Sequence, residues 1–391
     1  MRCVEKYIEL YGCDPAHVDF CPYRISPLGA HVDHQGGHIN GMAIDMGIHL
    51  AYSPEPDGSF ELSSVNFDGK VRFTQQEIGE HARGDWADHC RGAVRMLAEK
   101  HEINIGLKGV LEGSFPIGGL SSSAGVIIVF MKAIAKLNNI ALSDWELIEL
   151  AKAAENRYVG VACGKLDQCC EVLSKKDSIL FLDCDNDSYE LIPKSGSSDA
   201  YDIAVFFSGL ERSLASSAYN LRLDECRAAA YSLLEYAGLQ RKTLAETRLR
   251  DVPRDAFDAY KGRLPEVFAR RAQHFFDEDE RAVLGAEAWR RGDIEEYGRL
   301  IFESGKSCIG LYECGCPELI NMYGIMARTP GIYGGCFSGA GFKGSCMAFV
   351  EHGRTQEVTE SVMREYIKAF PALKEKVVCA VCKSADGVGT E

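Results

Sequence analysis

A chain of 391 residues is long for a single hydrophobic core, which points to two domains. Its 46% hydrophobic and 26% charged residues are those of a water-soluble globular protein. The formal net charge of −14 excludes a general binder of nucleic acid or anionic membrane, either of which needs a positive surface. No apolar leader follows Met1, and no window approaches the roughly 18 apolar residues of a membrane span, so the expected compartment is the cytoplasm. The sixteen cysteines are scattered, some inside apolar stretches such as Cys169, Cys170 and Cys346. Cys379 and Cys382 form a lone C-x-x-C without a second pair. Buried reduced thiols are therefore expected, and zinc gains no support from spacing.

In chain order, residues 1–12 read as a short amphipathic helix. Residues 20–37 are polar and turn-rich, and two prolines and three glycines exclude a regular helix there. Arg24, His31, Asp33 and His34 fall close together in this segment, an ionisable density that suits a site better than an idle surface loop. Strands are expected over 60–73, a helix over 86–100 with Trp86 at its start, and a strand over 105–111.

The next stretch, Gly113-Ser114-Phe115-Pro116-Ile117-Gly118-Gly119-Leu120-Ser121-Ser122-Ser123-Ala124-Gly125, leads into an apolar helix over 126–137. A glycine turn opening a long helix presents N–H groups without intrahelical partners at the positive end of the helix dipole, which is a ready anion site. The plainer alternative is a helix start capped by Ser121. A further helix over 143–158 starts with a capping box, Ser143 and Glu146, and carries Glu155 near its end. Asp167 and Gln168 follow, flanked by apolar residues. An acid in that setting is a helix cap or a functional carboxylate, because burying it idle is costly.

A linker-like run, Pro193-Lys194-Ser195-Gly196-Ser197-Ser198, divides the chain into expected domains 1–195 and 196–391. Beyond it come a strand over 203–207, a Ser-rich loop, and a helix over 219–236 stopped by Gly238. Residues 240–330 are mainly helical, with Pro317 at a helix start. A glycine cluster over 331–344, a strand over 346–350, a helix over 355–370 and a strand over 377–381 complete an α+β pattern. Two lookalikes fail. Gly305-Lys306-Ser307 lacks the first P-loop glycine, and the Asp183, Asp185, Asp187 run lacks the glycine and glutamate of a calcium loop.

An Arg/His/Asp segment, a glycine-serine turn and an isolated aspartate are the parts that phosphoryl transfer needs: backbone donors for phosphates, oxygen ligands for Mg²⁺, and a carboxylate for the attacking hydroxyl. The three segments resemble the motifs of the galactokinase/homoserine kinase/mevalonate kinase superfamily. Pro116-x-Gly118-Gly119-Leu120-Ser121-Ser122-Ser123 resembles its phosphate loop, and Phe337-Ser338-Gly339-Ala340-Gly341-Phe342-x-Gly344 its third motif. Cys163-Gly164-x-x-Asp167-Gln168 and Tyr312-Glu313-x-x-Cys316-Pro317-Glu318-Leu319 are similar to galactokinases, and the likeness runs through nearly the whole chain in order.

The resemblance implies an N-terminal domain like the second domain of ribosomal protein S5 and a ferredoxin-like C-terminal domain, with ATP and sugar in the cleft between them. By the same resemblance Asp167 is the catalytic carboxylate and Arg24 the cation beside it. Ser123 and Glu155 would hold Mg²⁺, and Pro116, Gly118, Gly119, Leu120, Ser121, Ser122, Ser123 and Ala124 would surround the phosphates, with Trp86 near the adenine. Ala30, His31, Asp33, His34, Asp167, Tyr219 and Gly339 would meet the sugar. The sequence sets no oligomeric state, and a monomer is compatible with it.

One departure bears on the acceptor. Galactokinases read Gly-Glu-His-x-Asp-Tyr where this chain reads Gly29-Ala30-His31-Val32-Asp33-His34. Losing the glutamate removes a partner for a C6 hydroxyl and equally removes a charge that would repel a C6 carboxylate. Galacturonokinases of plants are similar over Pro22 to Gly37 and over Phe207-Ser208-Gly209-Leu210. The resemblance thus implies ATP-dependent phosphorylation of the anomeric hydroxyl of galacturonate. Galactose is the alternative acceptor, and a non-catalytic sugar- and ATP-binding regulator a distant third. His31, His34 and Lys165 are the candidate cations for a uronate.

Overall fold

The computed structural model describes residues 1–195, 200–211 and 217–389, so the middle of the expected linker (196–199) and most of the Ser-rich loop (212–216) lie outside the described residues. The opening helix α1 (Arg2–Tyr11) lays Cys3 and Tyr7 on Ala51 and Val110 of a seven-stranded sheet. Its strands are β1 (His17–Leu28), β2 (His38–Glu55), β3 (Ser59–Ser64), β4 (Lys70–Thr74), β5 (Gly106–Gly113), β6 (Ser178–Asp183) and β7 (Tyr189–Pro193). They are ordered β4-β3-β5-β2-β6-β7, with β1 lying along β2.

The proline-containing segment from Phe20 is not the turn-rich loop its composition suggests. It is the second part of β1, paired antiparallel with β2 from His17↔Tyr52 to Leu28↔Asn40. The ladder shifts register at Pro22/Tyr23 and between Ile25 and Leu28. A bulge is where a sheet tolerates a residue without an N–H. Strand structure ends only at Leu28, ahead of the site residues Ala30 to His34.

At 18 residues, β2 outruns every partner on its other edge. β6 pairs with His38 to Gly41 and β5 with Ile48 to Glu55. The gap between them is filled by a distant part of the chain. Asp45 N–H donates to Lys383 O (3.0 Å), Ala385 N–H donates to Ala43 O (2.9 Å), and Ile44 bridges Ser384. Beyond them, the N–H groups of Gly387 and Val388 donate to Ser174 O and Glu171 O at 2.7 and 2.8 Å, and Lys132 Nζ donates to Val388 O.

Helices α2 (Asp88–Ala98), α3 (Ser122–Leu137), α4 (Asp144–Ala153) and α5 (Leu166–Leu173) pack together with this sheet. Because α3 is apolar nearly all round, it is buried along most of its length. Half of the expected capping box forms at α4: Ser143 Oγ accepts from Glu146 N–H (3.2 Å), whereas the Glu146 carboxylate turns to His101 (3.0 Å). Nor does one α-helix run on to Tyr158, since Ala154–Val159 widens into a π turn.

The second sheet holds β8 (Tyr201–Phe207), β9 (Ile332–Phe337), β10 (Ser345–Glu351) and β11 (Val378–Cys382), all antiparallel. Helices α6 (Ser217–Tyr236), α7 (Arg254–Tyr260), α8 (Glu266–Arg290), α9 (Ile294–Ser307) and α10 (Pro317–Arg328) lie between β8 and β9 in the chain, and α11 (Thr355–Ala369) between β10 and β11. The order β11-β8-β10-β9 is that of a ferredoxin-like sheet. The long α8 reaches across to the first sheet, where Asn40 Nδ2 donates to Ala282 O (2.8 Å) and Trp289 Nε1 donates to Ile192 O (3.0 Å). One continuous apolar core therefore runs through both halves. All sixteen cysteines are free thiols, most of them buried, as composition predicts. Cys379 and Cys382 sit three residues apart on β11 and so point to opposite faces of the sheet.

Deleting residues 383–391 strips these bonds from β2 and α5. At about 1 kcal/mol per bond, urea denaturation should show a loss of about 3 kcal/mol or more. An unchanged midpoint would mean the tail contributes nothing.

Candidate active site

A cavity of about 590 Å³ lies between the two sheets. An ion pair forms part of its wall. Arg24 on β1, only 3% exposed, donates through Nε to Asp167 Oδ1 (2.7 Å) and through Nη1 to Gly119 O (3.0 Å). Burial alone would lower the affinity of the guanidinium for its proton. The Asp167 carboxylate overrides that and holds it above the ordinary arginine value. Asp167 stands in the first turn of α5, whose N-cap is Lys165, so its carboxylate faces Arg24 rather than capping the helix.

Asp33 lies beside Asp167. Its Oδ2 accepts from Leu166 N–H (3.3 Å), and Gly164 packs so tightly on it that a Cβ there would come within 2.1 Å of the same oxygen. Burial and the neighbouring Asp167 charge push the Asp33 carboxyl up to about 6.

The Gly29-Ala30 segment is held from behind by Glu278 of α8. Glu278 Oε1 accepts from Gly29 N–H (2.9 Å), Ala30 N–H (3.2 Å) and Ser304 Oγ–H (2.6 Å), and Oε2 accepts from Arg281 Nε–H (2.8 Å). Burial would raise the carboxyl, but Arg281, His274 and the Ser304 bond keep it below its usual value. His274 Nε2 donates to Ala30 O (2.9 Å), so its Nδ1 accepts from Ser307 Oγ (2.8 Å).

The three candidate cations separate. Lys165 is committed to Asp187 (2.5 Å) and Glu149 (3.3 Å) and does not line the cavity. His34 takes a bond from Gln35 Nε2 at Nδ1 (3.1 Å) and donates from Nε2 to Tyr312 OH (3.2 Å). Burial pushes it down to about 3, so it is neutral, and it too lies off the cavity lining. Only His31 borders the cavity, with its ring stacked on Tyr312 at 4.0 Å between centroids. Ala30, Asp33, Tyr219 and Gly339 line the same space.

At the other end stands the glycine-serine turn. Gly118, Gly119 and Ser121 all have positive φ (143°, 93° and 62°). A side chain at Gly119 would press on Ser338 O at 2.8 Å. The second half of the chain pins this turn: Ser338 Oγ donates to Gly119 O (2.5 Å) and Ser345 Oγ to Gly118 O (2.8 Å). The alternative of a Ser121 cap does not hold: Ser121 adopts the left-handed conformation and its hydroxyl makes no capping bond. The first helical N–H with an intrahelical acceptor is that of Gly125, bonded to Ser121 O (3.1 Å). Ser121, Ser122 and Ser123 line the cavity, whereas Leu120 and Ala124 are buried beneath the turn and Pro116 lies off the lining. Trp86 also lines it and stacks on Phe67 (6.2 Å, 4°). The π turn delivers Glu155 to the wall, where Oε2 accepts from Gln168 Nε2 (2.6 Å).

Two contributors escape a reading of the sequence. Phe67 carries no signal beyond being aromatic. Glu278 carries one: it falls on the buried face of α8 with Arg271, His274, Phe275 and Ala282, and a charged group at core-facing spacing is a polar network in waiting.

Residues 5–54 match the galactokinase galactose-binding signature, residues 88–175 the GHMP kinases N-terminal domain, and residues 286–369 the GHMP kinases C-terminal domain. The galacturonokinase of Arabidopsis thaliana is 39% identical, with 94% of this chain and 91% of that one covered. The chain belongs to the GHMP sugar kinases. A galactokinase from Roseiflexus sp. (strain RS-1) is 31% identical to this kinase over 98% of this chain and 95% of its own. The crystal structure of Lactococcus lactis galactokinase complexed with galactose superposes on it with a TM-score of 0.88 at 27% identity, covering 98% and 97% of the two chains. It is thus an ATP-dependent sugar kinase with a mixed helix and strand fold.

Asp33 makes the fold less stable as pH rises. Its native carboxyl binds a proton more tightly than in the unfolded chain, so its contribution is full below about 3.8 and is lost as pH rises through about 6. Asp33→Asn should therefore raise the thermal midpoint at pH 8, by the equivalent of roughly 2–3 kcal/mol at about 1.4 kcal/mol per pH unit, and leave it unaltered near pH 4. A lower midpoint at pH 8 would contradict the assigned direction.

Proposed function

We propose that this kinase transfers the γ-phosphoryl group of ATP to the anomeric hydroxyl of D-galacturonate, giving α-D-galacturonate 1-phosphate. The observation that carries the choice of acceptor is Ala30. Its side chain lines the sugar end of the cavity at the position where galactokinases carry a glutamate, so no carboxylate at that position repels a C6 carboxylate. The 39% identity to a galacturonokinase supports the same reading.

In this reading the ATP phosphates lie on the turn from Gly118 to Ser123, where left-handed residues and the open first turn of α3 present backbone N–H groups. The ring of Trp86, stacked on Phe67, meets the adenine. A serine hydroxyl and a carboxylate are the hard oxygen donors Mg²⁺ takes, and Ser123 and Glu155, which both line the cavity, would supply them. Mg²⁺ there would offset phosphate charge. Arg24 fixes one oxygen of Asp167, and the other accepts no hydrogen bond among the described residues. That oxygen would orient the anomeric hydroxyl and take its proton as the phosphoryl group arrives. Asp33 and Tyr219 bind ring hydroxyls. Sixteen unpaired cysteines and a need for ATP fit a cytoplasmic enzyme.

Turnover of galacturonate and of galactose, followed by coupled ADP release, tests the acceptor. Galacturonate should give the higher kcat/KM, and equal or better use of galactose would reassign the enzyme as a galactokinase. Ala30→Glu should lower kcat/KM for galacturonate about tenfold or more, the equivalent of about 1.4 kcal/mol of repulsion. Asp167→Asn should cut kcat by about 10²–10⁴-fold with both substrates still bound. Near-normal turnover would remove Asp167 from the chemistry.

A further inference from the structure

The sugar end of the cavity also holds a donor set of the kind that soft divalent ions take. His31, Cys308 and Cys314 bring their ligand atoms to within 4.8 Å of one another. His31 Nε2 is 3.6 Å from Cys314 Sγ. An ion bound tetrahedrally at about 2.0–2.1 Å from nitrogen and about 2.3 Å from sulfur separates those two atoms by about 3.6 Å.

Local structure explains why the donors converge. α9 ends in a π turn, Cys308–Tyr312, and Glu313 is left-handed (φ 55°), so the chain doubles back and Cys314 N–H donates to Cys308 O at 3.1 Å. Arg271 holds the turn, donating from Nη1 to Leu311 O (2.5 Å) and from Nη2 to Glu313 (2.6 Å). Tyr312, from the same turn, carries the His31 ring on its face. Two thiols and an imidazole suit a soft divalent ion of the zinc class and not Mg²⁺. Among the described residues no fourth His, Cys, Asp or Glu joins the group, and of the three only His31 lines the cavity.

We propose that His31, Cys308 and Cys314 bind one zinc-class divalent ion, and that its fourth position opens to the cavity and takes an oxygen of the sugar acceptor. Binding exchanges water on the ion for two thiolates and an imidazole and releases two thiol protons, with no change of oxidation state. The acceptor contact rests on the galacturonate reading above: the ion would set a Lewis-acidic centre one residue from Ala30, on the side where galactokinases carry a carboxylate.

The test uses the full chain, stripped with chelator under reductant and titrated with Co²⁺. One ion per chain with thiolate-to-cobalt charge-transfer absorption is expected, and Cys308→Ser and Cys314→Ser should each weaken or abolish it. No such absorption, or full absorption in both variants, overturns the site. X-ray absorption at the zinc edge of the zinc-loaded wild-type protein needs no variant and should show two sulfur neighbours and an imidazole; any other set also overturns it. Galacturonate added to the cobalt form should shift the ligand-field bands. Unshifted bands in an enzyme that phosphorylates galacturonate overturn the acceptor contact. An enzyme that binds cobalt as expected but does not phosphorylate galacturonate overturns the functional reading instead and leaves the metal site standing.

Discussion

Arg24 brings a full positive charge to a position from which water is almost excluded, and its partners come from two distant parts of the chain: the Asp167 carboxylate and the Gly119 carbonyl. An unpaired guanidinium there would cost several kcal/mol, so β1, the glycine-serine turn and the start of α5 are held in mutual register by the need to satisfy one side chain. The same contact leaves one oxygen of Asp167 facing the cavity. In the proposed reaction, the three hydrogen-bonding groups that keep this part of the fold intact would also serve phosphoryl transfer.

The second half of the chain acts on the first through similar means. Ser338 and Ser345 fix the carbonyls of Gly119 and Gly118 by donating their hydroxyls to them. Glu278 does the reverse at the Ala30 end of the cavity, gathering the N–H groups of Gly29 and Ala30. Both ends of the cavity are thus shaped by side chains more than two hundred residues away. A backbone segment with no regular structure of its own becomes rigid because its polar groups have buried partners.

Much of this is legible in the sequence because it is local. The glycine-serine turn, the isolated acid at Asp167, the helix stop at Gly238 and the Pro317 helix start follow from residue types at short spacing. The α+β arrangement follows from the same periodicities. Where the local rules mislead, a tertiary partner overrides them. Pro22 and Pro27 argue for a loop until β2 is there to accept a bulged strand. Ser121 looks like a cap until its left-handed backbone turns it elsewhere. Glu146 leaves its capping box because His101 is close. Lys165 and His34 look like available cations, yet ion pairs occupy the first and burial neutralises the second. Cys308 and Cys314 match no metal spacing, since the third donor of their group comes from a segment nearly three hundred residues earlier.

The strip of chain that closes the gap in β2 has a bearing on how the protein is made. Residues 383–385 bond to the middle of a strand that leaves the ribosome more than three hundred residues before them. Until that strip has emerged, the strand keeps an open edge between β5 and β6, and α5, which carries Asp167, lacks the contacts at Glu171 and Ser174 that brace it from behind. A nascent N-terminal half would therefore emerge with its glycine-serine turn encoded but α5 unsupported. A ribosome-bound chain that has not reached residues 383–388 is still missing part of its first sheet.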